Sequence, residues 1–172
     1  RERMNLACKQ YVEDKTTKDL MAECGFVTEI LPFPLVNEDE VVPLPEKPKF
    51  LVDIDENYGH AFGSLERSLP DISLEMAGGA KKIEDFTGIM SFHVKRMMNQ
   101  PVKRMILAGR HVISNIQSPF AGFIEDKVDT ERFIVNMVER ARKIAKAPQS
   151  LRGRDFYHKS MTPQKFKEAV CA

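Results

Sequence analysis

The sequence predicts a fold of the α+β class, or alternatively of the α/β class, in which one compact, helix-rich domain contains a small sheet. The apolar run of residues 50–55 is typical of a buried strand. In the second half of the chain, apolar residues recur at spacings of three and four, which is typical of amphipathic helices. The length of 172 residues suits one domain, and 42% hydrophobic residues are enough to form its core.

The N-terminal residues 1–31 are expected to form a mainly helical segment. Tyr11 and Val12 fall in a first helical piece, and Thr16 or Thr17 can cap a second piece that ends at Gly25. Residues after this glycine, up to Ile30, can add a short strand. We therefore expect a helical segment in front of the main domain.

Residues 32–48 are expected to form an extended connector. Five of these 17 residues are proline, and Glu and Asp lie between them. Each proline removes a backbone donor and restricts the residue before it, which excludes a helix and an interior strand. Because Leu, Val and Phe are interspersed, the connector is also apolar enough to lie across the surface of the domain that follows.

The main domain is expected to span residues 49–172. Its clearest element is a helix over residues 130–147, where apolar residues form one stripe and Pro148 follows the basic C-terminal turn. Apolar spacing also predicts an amphipathic helix over 83–98 that ends before Pro101. The remaining predictions are a short helix at 61–69, strand or helix at 105–108 and 112–116, and a last helix that Thr162 caps and Pro163 begins.

Charge is strongly segregated along the chain. Residues 1–90 contain ten basic and 18 acidic side chains, whereas residues 91–172 contain 16 basic and seven acidic ones. The first part therefore carries −8 and the second +9, although the whole chain carries only +1. Such asymmetry points to a nucleic acid, an acidic partner or contact between the two parts.

The basic second half predicts a non-catalytic domain of a larger intracellular protein that binds RNA or another polyanion. Cationic side chains suit phosphates, and aromatic or guanidinium planes suit unstacked bases. We expect Tyr157 to stack on a base. The expected binding residues are Arg140, Arg142, Lys143, Lys146, Arg152, Arg154, Tyr157 and Lys159.

A second hypothesis is a protein-interaction or assembly module. Oppositely charged parts of two copies can meet across a subunit contact, which would give a homo-oligomer. The proline-rich connector can in the same way dock on a neighbouring protein. This hypothesis uses the same charge segregation without requiring a nucleic acid.

A third hypothesis is a Mg²⁺-dependent phosphohydrolase or nuclease. Asp53 and Asp55 stand two residues apart at the end of the strand predicted over 50–55, so both carboxylates can reach one side and share a metal ion. Phe-Leu-Val-Asp-Ile-Asp resembles the opening of haloacid-dehalogenase-type phosphohydrolases. This resemblance implies that Asp53 is the nucleophile and Asp55 the acid–base residue, with Asp126 in a second acidic pair. Carboxylates on different strands would also fit a ribonuclease-H-like site with two metal ions.

Several other classes of function are excluded or disfavoured. No stretch is long and apolar enough to span a membrane, so we expect no membrane partner. Three scattered cysteines do not form a disulfide framework and favour a reducing compartment, cytoplasmic or nuclear. The four histidines are isolated from one another and from cysteine, which disfavours zinc. The leading hypothesis therefore needs no cofactor, and only the enzymatic alternative needs Mg²⁺.

Overall fold

A five-stranded parallel sheet forms the centre of the protein in a computed structural model. The structure describes residues 10–12, 15–30, 41–79, 81–93, 99–115, 122–123, 130–160 and 162–171. The strands are β1 (Tyr11–Val12), β2 (Glu29–Ile30), β3 (Lys49–Ile54), β4 (Ser73–Met76), β5 (Gly88–Phe92), β6 (His111–Ser114) and β7 (Gly122–Phe123). The helices are α1 (Lys15–Glu23), α2 (Ala61–Ser68), α3 (Gln100–Leu107), α4 (Thr130–Ile144), α5 (Arg152–Ser160) and α6 (Pro163–Cys171).

The strand order of the large sheet is β4-β3-β5-β6-β7, and every neighbouring pair is parallel. Parallel neighbours need long crossovers, which α2 provides between β3 and β4 and α3 provides between β5 and β6. The order reverses between β3 and β5, because the chain first adds β4 on one side and then continues on the other. The predicted mixed fold of helices and strands is confirmed, with the strand arrangement of its α/β alternative.

Helices cover both faces of this sheet. On one face, Val52 of β3 and Met90 of β5 belong to a core cluster that includes α2 and α4. On the other face, Leu51 and Ile89 pack with α3. Since side chains alternate along a strand, the two clusters use alternate residues of the same strands. The sheet is therefore buried on both sides, as parallel sheets generally are.

Residues 83–93, the described part of the range 83–98, do not form the predicted amphipathic helix; residues 94–98 lie outside the described residues. Residues Ile83–Asp85 form a short 3-10 turn, and β5 follows with all five residues buried. A strand buried on both faces has no polar alternation, so its apolar residues happened to match helical spacing. A Cβ at Gly88 would overlap the carbonyl oxygen of His111 on β6. Glycine is needed there because the two strand backbones approach closely.

Other boundaries also differ from the prediction. Tyr11 and Val12 form β1 and pair with β2, where the sequence predicted helix. Pro101 lies in the first turn of α3, capped by the Asn99 side chain, where the sequence placed a helix end. The strands β4 and β7 and the helix α5 were not predicted. The strand at 50–55 and the helices at 61–69, at 130–147 and after Thr162 are confirmed with small shifts of their ends.

The described part of the connector, residues 41–48, has no regular secondary structure and is tied to the main domain. The Arg110 guanidinium donates a hydrogen bond to the carbonyl oxygen of Pro43 at 3.0 Å. The Gln149 amide donates to the carbonyl oxygen of Val42, also at 3.0 Å. These contacts fix two backbone carbonyl groups of residues 41–48 against the main domain; residues 32–40 of the connector lie outside the described residues.

We expect Gly88→Ala to lower the free energy of unfolding by about 1 to 3 kcal/mol, because the added methyl group has no room beside His111. Gly63→Ala is the matched control. Its Cβ would lie 3.6 Å from the nearest atom, the Arg67 Nη1, so alanine should stabilise α2 by up to about 1 kcal/mol. Urea unfolding of the two variants measures both effects. Equal stability of Gly88→Ala and the parent protein would contradict the close approach of β5 and β6.

Candidate functional site

Polar side chains converge where the strand order reverses, at the carboxyl edge of the sheet, meaning the edge at which the strands end. The Asp53 carboxylate of β3 lies beside the His93 ring, which follows β5, with 3.0 Å between Asp53 Oδ2 and His93 Nε2. The Ser91 hydroxyl donates to the same oxygen at 3.4 Å, and the Asn99 amide donates to it as well. We call these four residues, Asp53, Ser91, His93 and Asn99, the carboxyl-edge cluster.

The alternation of side chains along the strands brings this cluster together. Leu51 and Ile89 point toward α3, and the residues two positions later on each strand, Asp53 and Ser91, therefore point to the same side. Asn99 reaches the cluster from the N-cap position of α3. There its side-chain oxygen Oδ1 also accepts a hydrogen bond from the Val102 backbone N–H at 3.1 Å. Two strand ends and one helix start thus position the four side chains.

Asn115, the residue directly after the neighbouring strand β6, holds the backbone of His93 in place. Its side-chain oxygen accepts from the His93 backbone N–H at 3.3 Å, and its amide group donates to the His93 carbonyl oxygen at 2.6 Å. Asn115 is itself buried. The position of the imidazole is therefore fixed through its backbone as well as through Asp53.

The cluster shifts the ionisation of its two titratable members in opposite directions. Burial alone would raise the pKa of Asp53, but hydrogen bonds from His93, Asn99 and Ser91 outweigh it and hold the pKa below its ordinary value. The hydrogen bond to Asp53 raises the pKa of His93 against the effect of burial, and the charges of Asp53 and Asp55 add to the increase. The ion pair of Asp53 and His93 is therefore favoured over its neutral form.

The structure separates the roles expected for the predicted metal-binding carboxylates. Asp53 accepts hydrogen bonds within the carboxyl-edge cluster, whereas Asp55 caps the 3-10 turn Glu56–Tyr58 and accepts from the Asn57 backbone at 3.4 Å. Asp126 lies outside the described residues. Within the described ranges, no group of three or more His, Cys, Asp or Glu side chains is placed to hold a metal ion.

The basic residues predicted to bind phosphate lie on α4, just after it and on α5. Most are exposed and have no ion pair to a carboxylate within the part of the chain that the structure describes; these are Arg140, Lys143, Lys146, Arg152 and Lys159. Arg142 is exposed and donates to the carbonyl oxygen of Ser68 at 2.9 Å. Arg154 is half-buried and donates to the carbonyl oxygen of Leu107 at 2.6 Å.

A cavity of about 410 Å³ opens beside the end of α4, at the amino edge of the sheet, where the strands begin. Two cations, Arg142 and Lys146, and one carboxylate, Asp71, line it. The other lining residues are mainly apolar: Pro48, Leu69, Pro70, Ile72 and Ala145. We call the four cations Arg140, Arg142, Lys143 and Lys146, together with this cavity, the basic groove.

The structure corrects the role predicted for Tyr157 in the nucleic-acid surface and shows how the predicted cations are distributed. Tyr157 is only 2% exposed and packs with Leu107, so its ring is not accessible for stacking on a base. The cations are also not on one face: α4 packs on the sheet face of Val52, whereas α5 contacts α3 on the opposite face. The sequence predicts Tyr157 as a stacking residue because a short, strongly polar helix such as α5 gives no clear apolar stripe that would indicate its burial.

Comparison with known proteins gives no family. No family model matches the chain, and no curated protein matches it significantly. None of the helices that the structure describes has the length and apolar character needed to cross a membrane. The carboxyl-edge cluster and the basic groove are therefore the two features of the structure that bear on function.

Sequence reasoning identified Asp53 but missed His93, Asn99 and Asn115. Recognising residues 88–92 as a strand would have placed His93 at its end, next to Asp53, by the rule that parallel strands end at one edge. The buried run of β5 before a single histidine was the available signal.

We expect Asp53→Asn to destabilise the protein most between about pH 4 and pH 6.5, where both partners are charged. The contribution of His93, whose pKa is raised, is complete below its ordinary pKa and is lost as the pH rises through the raised value. The contribution of Asp53, whose pKa is lowered, is lost as the pH falls through the lowered value. Urea unfolding near pH 5.5 should show a loss of about 1 to 2 kcal/mol, which shrinks near pH 9.

The exposed Asp85 provides the control for this prediction. Asp85→Asn removes the same charge outside the cluster, and its effect should be small at both pH values. A loss in Asp53→Asn that is independent of pH would contradict a charged pair with His93.

Proposed function

We propose that this protein binds the phosphate backbone of a nucleic acid, RNA in the first place, through the basic groove. The observation that carries the proposal is a set of four exposed cations at the end of α4, of which Arg140, Lys143 and Lys146 have no ion pair within the described residues. Binding requires no catalytic step and no cofactor. Such a partner is consistent with a cytoplasmic or nuclear protein.

The number of cations exceeds what the helix itself requires. One or two basic residues in the last turn complement the partial negative charge of a helix end. Here Arg142 and Lys143 occupy that turn, and Arg140 and Lys146 flank it. Acidic side chains paired with these cations would indicate a purely structural arrangement. Within the described residues, Asp71 is the single carboxylate that lines the cavity, and Glu139, which precedes Arg140 on α4, forms no ion pair with the four cations. The excess positive charge is thus available to an anionic partner.

The shape of the basic groove favours contact with the backbone rather than with bases. Arg142 and Lys146 are four residues apart, so they lie on one side of α4 and its continuation, and both line the cavity. Arg142 is already oriented by its hydrogen bond to Ser68, which leaves other guanidinium N–H groups for a phosphate oxygen. With Tyr157 buried, no base-stacking contribution is included, and affinity should depend mainly on counterion release.

The test is a titration of a fluorescently labelled single-stranded RNA, followed by anisotropy at several salt concentrations. We expect the double variant Lys143→Glu, Lys146→Glu, which includes a cation that lines the cavity, to lower affinity by about tenfold or more at low salt, because two phosphate contacts become repulsive. The slope of log affinity against log salt should also become less steep, by about 1.4 for two lost single-strand contacts.

Lys18→Glu is the matched control, since Lys18 is an exposed lysine on α1, outside the five-stranded sheet. This variant reverses the charge of a single side chain, and it should leave RNA affinity within about twofold of that of the parent protein. Equal weakening by Lys18→Glu would show a general charge effect and overturn the assignment to the basic groove. Absence of RNA binding at low salt would overturn the proposed function itself.

A further inference from the structure

A second region has the properties of a binding site and lies at the opposite edge of the sheet from the basic groove. The carboxyl-edge cluster stands between β3 and β5, where the strand order reverses. Helix α2 leaves β3 toward one face, and α3 lies on the other face. The two helices thus diverge from the reversal of strand order at the carboxyl ends of β3 and β5, the kind of position at which open parallel sheets commonly bind ligands.

The cluster is more constrained than a simple ion pair. One oxygen of Asp53 receives hydrogen bonds from three side chains, and Asn115 fixes both backbone polar groups of His93. These groups come from β3, β5, β6 and the start of α3. A charged pair at the end of two strands could be solvated by water without this support. Such orientation of a titratable pair by surrounding side chains is typical of ligand sites.

The carboxylates retain hydrogen-bonding capacity that the described residues do not use. The Asp53 side chain accepts hydrogen bonds from the described residues through Oδ2, and the Asp55 side chain accepts them through Oδ1. Within the described part of the chain, the second oxygen of each carboxylate therefore remains an acceptor without a donor. Asp53 and His93 are 17% and 25% exposed in their side chains, so a small molecule can reach them.

The charges of the cluster select among ligand classes. Two carboxylates act on one imidazole, which disfavours an anion such as phosphate. Protonated His93 offsets one of the two carboxylate charges, which weakens the attraction for an organic cation without removing it. A neutral hydroxyl group does not depend on this charge balance, because it donates to a carboxylate oxygen while accepting from a ring N–H. Hydroxyls are therefore the groups that fit both ionisation states of His93.

We propose that the carboxyl-edge cluster and Asp55 form a binding site for a neutral polyhydroxyl compound such as a sugar. The acceptor oxygens of Asp53 and Asp55 bind its hydroxyl groups, and His93 contacts one of them. Ser91, Asn99 and Asn115 are positioning residues that orient Asp53 and His93. This site is independent of the nucleic-acid binding proposed for the basic groove.

The experiment follows the His93 ring resonances of the whole protein by NMR during titration with D-ribose. We expect a saturable shift at millimolar ribose, because the hydroxyl groups change the hydrogen bonding of the ring and its partner carboxylate. Ethanolamine and inorganic phosphate serve as cationic and anionic probes and should produce a much smaller shift. An equal response to phosphate would overturn the assigned ligand class, and no saturable response to ribose would overturn the site.

Two variants separate binding from folding. Asp55→Asn leaves the hydrogen bonds of the carboxyl-edge cluster in place and removes one of the charges that raise the pKa of His93. It should weaken ribose binding about tenfold through loss of a charged acceptor. Asp53→Asn should weaken it at least as much and also lower the pKa of His93. His60→Gln is the control, since His60 is exposed and precedes α2 near the same edge. If Asp55→Asn binds ribose as tightly as His60→Gln does, the site is not the one proposed. RNA affinity, measured in parallel, should not change in any of the three variants.

Discussion

The burial of β5 is the constraint on which the rest of the structure depends. All five of its residues are buried, because helices cover both faces of the sheet and neighbouring strands lie on both sides. No polar side chain can be accommodated along such a strand without a hydrogen-bonding partner. The close backbone approach at Gly88 keeps β5 and β6 in register, and this register in turn places Asn115 beside the backbone of His93. Polar chemistry is thereby restricted to the two edges of the sheet, where strands begin or end and helices diverge.

Much of the fold could be predicted from local sequence signals, but the centre of the sheet could not. The helix after Thr162 has a capping side chain and Pro163 in its first turn, and α4 has an apolar stripe, so both follow from nearby residues. The sequence of β5 predicts a helix because polar and apolar residues do not alternate in a strand that is buried on two faces. Apolar residues also continue beyond the end of β5, so the sequence does not show where the strand ends. What identifies it as a strand is the pairing with β3 and β6, which is tertiary information. Pro101 was misread for a related reason: proline both ends helices and begins them, and only the Asn99 cap decides between the two.

The candidate sites show the same division between local and tertiary information. Asp53 could be found from its place at the end of an apolar run, whereas its partners lie 38 to 46 residues away in sequence. The order of the strands determines which residues meet Asp53, and this order cannot be read from the local sequence around Asp53. For the basic residues, the local sequence shows where the cations lie along the chain, but it does not show which face of the sheet each of them occupies. The burial of Tyr157 against Leu107 follows from the packing of α5 on α3, and no pattern within residues 152–160 indicates it.

The two edges of the sheet are electrostatically distinct and far enough apart to act separately. The basic groove lies where β3 and β4 begin, and the carboxyl-edge cluster lies where β3 and β5 end. Six residues of β3 separate them, which corresponds to roughly 20 Å of extended strand. Charges in solvent are largely screened beyond about 8 Å at physiological ionic strength. The cations of α4 therefore contribute little to the ionisation of His93, and the pKa of that ring is governed by Asp53 and Asp55. The nucleic acid proposed for the basic groove and the neutral molecule proposed for the carboxyl-edge cluster would consequently not compete for the same charges.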